Sequence, residues 1–127
     1  MKYLKTFENK EPEKEIEYYD NGDIQSITYK IRGKIHRENG PAYQAWNTKG
    51  VLIISTYYIN DKRHRENGPA YESWYDNGEE SYNVYYLNSI YYTRENWIEQ
   101  LKKINSPHYQ EQKELYEMEK DIEKYNL

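Results

Sequence analysis

His36, Arg37 and Glu38 stand in a row, and the same trio returns as His64, Arg65 and Glu66. An imidazole beside a guanidinium and a carboxylate is the set that acid–base catalysis, anion binding or a metal site would draw on. Spacing weighs against a shared metal. If each unit adds two strands about 4.8 Å apart, equivalent residues lie about 10 Å from one another. Two imidazoles on one zinc each place a nitrogen about 2 Å from the ion. No metal, cofactor or catalytic residue is therefore assigned. Duplication suits a loop code better, with His and Arg bonding neighbouring carbonyls or the Glu of an adjacent rung. An enzyme built on the His-Arg-Glu loops is the competing class.

The remaining chemistry is sparse. No Gly-rich phosphate loop, His-Glu-x-x-His pair or nucleophile elbow occurs, and Ser55, Ser73 and Ser81 sit in strand patterns. His108 beside Pro107 is a lone surface candidate. The chain has no cysteine, which excludes disulfides and thiolate ligands and suits a reducing compartment.

Charge narrows the partners. Lys and Arg number 18 against 22 Asp and Glu, a net of -4, too mild to point to nucleic acid or a membrane surface. Most of the excess lies at the end, where residues 107–127 hold Glu111, Glu114, Glu117, Glu119, Asp121 and Glu123 against Lys113, Lys120 and Lys124. The N-terminus runs straight into charged residues without an apolar core, and nothing approaches the roughly 20 apolar residues of a membrane span. The expectation is a soluble protein of a bacterial host's cytoplasm, with neither membrane nor nucleic acid as direct partner. Seventeen tyrosines beside a mean hydropathy of -1.29 imply a core built on amphipathic rings.

The elements that position these residues come from an internal repeat. His36-Arg-Glu-Asn-Gly-Pro-Ala-Tyr43 recurs identically as His64-Arg-Glu-Asn-Gly-Pro-Ala-Tyr71, 28 residues on. Gly22, Gly50 and Gly78 keep that period, as do Tyr29, Tyr57 and Tyr85. After a lead-in over 1–15, the units are 16–43, 44–71 and 72–99. Each reads as a short strand through Pro-Ala-Tyr-x-x-Trp and a longer one such as Val51–Ile59. Asp20-Asn-Gly22 and Asp76-Asn-Gly78 between them predict type I′ turns, and Asn67-Gly68 before Pro69 supplies a second reversal.

The fold class is thus mainly β with C-terminal α: a twisted antiparallel meander of about six strands. Positions 29/57/85 and 31/59/87 share one face and are assigned to the core. The opposite face carries Lys30, Tyr58, Tyr82 and Tyr86.

Where the third motif should recur, Tyr92-Thr-Arg-Glu-Asn-Trp97 appears instead. Thr93 can cap a helix over 93–104 whose Trp97, Leu101 and Ile104 fall on one side with Ile98 adjacent, suited to closing the last sheet edge. Ser106-Pro107 starts a second, acidic helix within 106–127, from about Pro107 to Tyr125. Its Leu115, Met118, Ile122 and Tyr125 follow a and d positions over two heptads. That stripe either packs within the chain or meets a partner, a homodimer included.

Ile31-Arg-Gly-Lys-Ile-His-Arg37, Ile59-Asn-Asp-Lys-Arg-His-Arg65 and Trp74-Tyr-Asp-Asn-Gly78 resemble the MORN-like repeats of bacterial, phage and giant-virus proteins, over about residues 16–99. Tyr91–Trp97 is similar to the helical terminator of such arrays. The resemblance implies a β-hairpin scaffold used for interaction, with no catalytic set to carry over. The expected function is non-enzymatic protein binding, in its sharper form a phage or mobile-element inhibitor that occludes a bacterial immune effector such as a CRISPR nuclease. The candidate contact residues are Tyr58, Tyr82 and Tyr86 as anchor, Arg37, Glu38, Arg65 and Glu66 as polar rim, and Glu117 and Asp121 of the acidic helix. A carbohydrate- or nucleotide-binding surface using the same aromatics is the alternative.

Overall fold

The computed structural model describes residues 11–125, so residues 1–10 of the lead-in and the last two of the tail lie outside the described chain. Ten strands and two helices follow in order: β1 (Glu13–Tyr18), β2 (Ile24–Ile31), β3 (Lys34–Ile35), β4 (Tyr43–Trp46), β5 (Leu52–Thr56), β6 (Tyr58–Ile59), β7 (Lys62–Arg63), β8 (Tyr71–Trp74), β9 (Glu80–Leu87), β10 (Ile90–Tyr92), α1 (Arg94–Lys103) and α2 (Tyr109–Tyr125). Eight strands form one antiparallel sheet ordered β1-β2-β4-β5-β8-β9-β10, with β3 beside β2, while β6 and β7 pair separately. The mainly β meander with C-terminal helices is what the sequence implied.

The strand count and the turn types differ from expectation. Gly22, Gly50 and Gly78 have φ near +90° and donate back to Tyr19, Asn47 and Tyr75 at 2.9–3.0 Å. Asn21 and Asn77 stay out of the left-handed region. These are three-residue loops, a type I turn closed by a glycine bulge, and the register slips beside each, as between Glu17 and Tyr18. The Asn side chain is spent on a local bond instead: Asn21 Oδ1 accepts from the Asp23 N–H and Asn77 Oδ1 from that of Glu79. In the middle copy, Lys49 stands where those asparagines do, and Asn47 Oδ1 takes the equivalent Val51 N–H.

The two-residue turns with both φ positive fall elsewhere, at Arg32-Gly33, Asn60-Asp61 and Asn88-Ser89. Each folds the chain back into a short return strand, β3, β7 or β10. These return strands, together with the break at Tyr57 that divides β5 from β6, raise the strand count from six to ten.

Pro-Ala extends the ladder past β4 and β8. Ala42 donates to the Thr56 carbonyl at 2.9 Å and accepts from Tyr29 at 2.8 Å; Ala70 does the same with Val84 and Tyr57. Both alanines are fully buried.

Among the described residues the deep apolar core lies at the last unit. Trp97, Ile98 and Leu101 of α1 pack on Leu87, ringed by Tyr85, Tyr92, Tyr109 and Tyr116. Thr93 caps α1 by accepting the Asn96 N–H, as its sequence predicted. Leu101 is fully buried and contributes about 2 kcal/mol by area. Ile104, placed on the same stripe by sequence, is exposed. Of positions 29/57/85 and 31/59/87, only Leu87 is fully enclosed; the rest are half-buried, and among the described residues the buried apolar side chains of α1 pack on Leu87 of the third unit. No helix of the described residues is long and apolar enough to cross a membrane.

Candidate functional site

Each His-Arg-Glu loop is fixed by its own chemistry. His64 Nδ1 accepts the Asn88 N–H at 3.1 Å, and its Nε2 lies 2.9 Å from Glu66 Oε2. His36 repeats this with the Asn60 N–H at 3.0 Å and Glu38 at 3.6 Å. A backbone donor at Nδ1 leaves the ring proton on Nε2, aimed at the carboxylate. Each imidazole therefore ties its loop to the turn of the following unit. Among the described residues no cluster of three or more His, Asp or Glu is suited to hold a metal.

The arginines are locked as firmly. The guanidinium carbons of Arg37 and Arg65 lie 4.1 and 3.9 Å from the ring centroids of Tyr29 and Tyr57, within cation–π range. Arg37 donates to the Pro41 carbonyl, and Arg65 to the Pro69 carbonyl, to Asn67 Oδ1 and to the Glu72 carboxylate. At the third unit Thr93 stands where Arg37 and Arg65 do, and Trp97 covers the tyrosine: its ring centroid is 4.7 Å from that of Tyr85, its Nε1 donates to the Arg65 carbonyl, and the Arg94 guanidinium carbon lies farther off, 6.0 Å from the Tyr85 ring.

Between the two loops and the segment joining the helices runs an open groove of about 680 Å³. Arg37, Glu38, Tyr57, His64, Arg65, Glu66 and His108 are among its walls. Burial pushes the Glu66 carboxyl up, but hydrogen bonds from His64 and Ser106, together with the nearby imidazoles of His64 and His108, outweigh it. The group is held below its ordinary range. Four of the nine contact residues expected from sequence, Arg37, Glu38, Arg65 and Glu66, therefore meet in one place. Arg65 and Glu66 are committed to the fold, whereas Arg37 makes one hydrogen bond, to Pro41, and the Glu38 side chain is 82 % exposed.

The tyrosine anchor does not assemble. Tyr58 and Tyr86 converge on Arg63, whose Nε and Nη1 reach their hydroxyls at 3.4 and 3.5 Å. Tyr82 lies four residues before Tyr86 on β9, about 13 Å along the strand, opposite Ser73, and is 67 % exposed. The period-2 rule puts all three on one face, but distance separates Tyr82 from the pair. Arg63, the residue that organises the pair, carried no signal beyond its place in a basic loop.

Glu117 and Asp121 lie on neither surface. α2 docks through Tyr109, Gln112 and Tyr116, with an ion pair from Glu119 to Arg94. Glu117 flanks the shallow cleft between the helices. Asp121 borders the outer side of α2, where Leu115, Met118, Ile122 and Tyr125 are 40–78 % exposed. No protein-family model matches the chain, and no curated protein or solved structure matches it. Among the described residues, α2 carries four exposed large apolar side chains, more than any other element.

Proposed function

We propose that this chain is a non-enzymatic protein-binding module whose recognition face is the outer side of α2. One observation carries the reading: Leu115, Met118, Ile122 and Tyr125 form an exposed stripe over three turns of a helix that is already docked by its other side. An apolar stripe at i, i+3, i+7 and i+10 is the pattern by which helices enter partner grooves. Glu111, Glu114 and Asp121 lie on or beside it, while Lys113 and Lys120 are turned roughly 100° or more away at 100° per residue; Lys124 alone reaches the stripe, its Nζ 5.6 Å from the Tyr125 ring centroid at the far end. Self-pairing through this face would bring acid against acid, so the rim favours a basic partner over a second copy.

Protein binding is also supported by the engagement of His36, His64, Arg37 and Arg65 in holding the loops. The sharper reading, a phage or mobile-element inhibitor that occludes a bacterial immune nuclease, rests on the MORN-like resemblance. An acidic rim suits that target class, because nucleases hold their substrate in basic channels.

The test is affinity capture from bacterial lysate with the full chain, beside Met118→Glu/Ile122→Glu and beside Tyr82→Ala. A stoichiometric partner lost only from the helix variant, and bound by the purified wild type with an affinity that falls steeply with salt, supports the assignment. A partner held equally by the helix variant refutes it. Both helix positions are exposed, so thermal stability stays within about 0.5 kcal/mol of wild type.

A further inference from the structure

The junctions between units repeat one docking step. Asp61 donates its N–H to the Ile35 carbonyl at 2.9 Å, and its carboxylate accepts the Ile35 N–H at 2.6 Å. One period later, Ser89 donates to the Arg63 carbonyl at 2.8 Å, and its hydroxyl accepts the Arg63 N–H at 3.1 Å. In both cases the acceptor strand ends on a residue whose backbone groups point away from its own hairpin, because Ile35 and Arg63 sit opposite Lys30 and Tyr58 in a non-hydrogen-bonded pair. The second residue of a two-residue turn reads those two groups, once with its backbone and once with its side-chain oxygen.

Tyr91 occupies the same position at the end of the stack, opposite Tyr86. Among the described residues nothing meets its N–H or its carbonyl. Tyr91 is 63 % exposed, and Ile90 beside it is also open. α1 lies over Tyr85 and Leu87 on the sheet face and leaves this edge uncovered. The groups on either side are used: the Ser89 N–H goes to Arg63, and the Thr93 carbonyl accepts from Trp97.

We infer that this edge is a docking site for the tip of a partner protein's β-hairpin, a two-residue turn with both φ positive and Asp, Ser or Asn in second place. Strand addition needs a longer row of free backbone groups, and this edge offers one donor and one acceptor. A turn supplies one of each, as the two internal junctions do. The chain's own first turn carries Gly33 where Asp61 and Ser89 stand, so a second copy cannot supply the side-chain oxygen. Tyr92 replaces His36 and His64, so the foreign turn is held by Tyr91 and the apolar surface of Ile90.

The probe is a backbone-cyclised hairpin peptide copying Tyr58–Arg63 with its Asn-Asp turn, titrated into isotope-labelled full-length protein and followed by amide NMR. Saturable shifts confined to Ile90–Tyr92, with a dissociation constant on the order of 1 mM and slowed exchange at the Tyr91 amide, are expected. The same peptide with Ala in place of Asp binds about tenfold more weakly. Tyr91→Pro, which deletes the N–H, abolishes binding while circular dichroism reports the fold; the Asp-to-Ala peptide keeps the test decisive if that variant does not fold. Shifts elsewhere, or equal binding of the Ala peptide, overturn the proposal. So does a Tyr91 amide already protected in a sedimenting dimer, which would assign the edge to a second copy.

Discussion

The Arg65 guanidinium carbon lies 2.8 Å from where a Cβ on Gly68 would stand. With the Tyr57 ring 3.9 Å away on its other side, the cation is clamped between glycine and aromatic. Gly68→Ala must displace either the guanidinium or the loop and should cost about 1–3 kcal/mol in chemical denaturation. At Gly40 the corresponding contact is 3.1 Å, so Gly40→Ala should cost less.

His64→Ala removes the acceptor for the Asn88 N–H and the donor to Glu66. A loss of about 1 kcal/mol is expected. His36→Ala should cost somewhat more, because His36 is buried as well as bonded to Asn60. If either substitution abolished a turnover while leaving the melting temperature unchanged, the loops would be catalytic and not structural.

Acid sensitivity separates two glutamates. Glu66 has a folded pKa below its ordinary 4.5, so its ionised form stabilises the fold above the unfolded pKa, and that contribution is lost as pH falls through the folded value. Glu72 is shifted the other way, because burial outweighs the Arg65 charge. Its contribution is present below the unfolded pKa and is lost as pH rises through the folded one. Melting curves between about pH 3 and 6 should show Glu66→Gln less acid-sensitive than wild type and Glu72→Gln more so.

Much of this was legible in the sequence. Thr93 announced its cap, Trp97, Ile98 and Leu101 the cap's buried side, and the identical octapeptides the arginine bonds to neighbouring carbonyls. The histidines differ from expectation, accepting a backbone N–H of the following turn and facing the Glu of their own loop, not that of an adjacent rung. The turns were misread because Asp-Asn-Gly is the usual mark of a two-residue hairpin, whereas here the asparagine side chain closes a three-residue loop. The real two-residue turns carry Arg-Gly, Asn-Asp and Asn-Ser, only partly matching that mark. Tyr29 and Tyr57 were placed in a core that does not extend so far, since a period-2 pattern cannot distinguish a second layer of structure from a covering guanidinium. The three tyrosines separate for a related reason: a shared sheet face does not make side chains neighbours, and the length of β9 separates Tyr82 from Tyr86.

That separation yields a direct test. Tyr58→Phe and Tyr86→Phe each remove an acceptor from Arg63, whose guanidinium also lies 5.4 Å from the Tyr86 ring. Both hydrogen bonds are long, so each substitution should cost about 0.5–1 kcal/mol, and the double variant less than the sum because the two hydroxyls share one cation. Tyr82→Ala, at an exposed site opposite Ser73, should stay within about 0.5 kcal/mol of wild type. Urea denaturation of the four variants measures the coupling. A double variant whose loss equals the sum would mean that Arg63 holds the two tyrosines independently, and a large loss at Tyr82 would mean that its ring packs on the sheet and does not stand free in solvent.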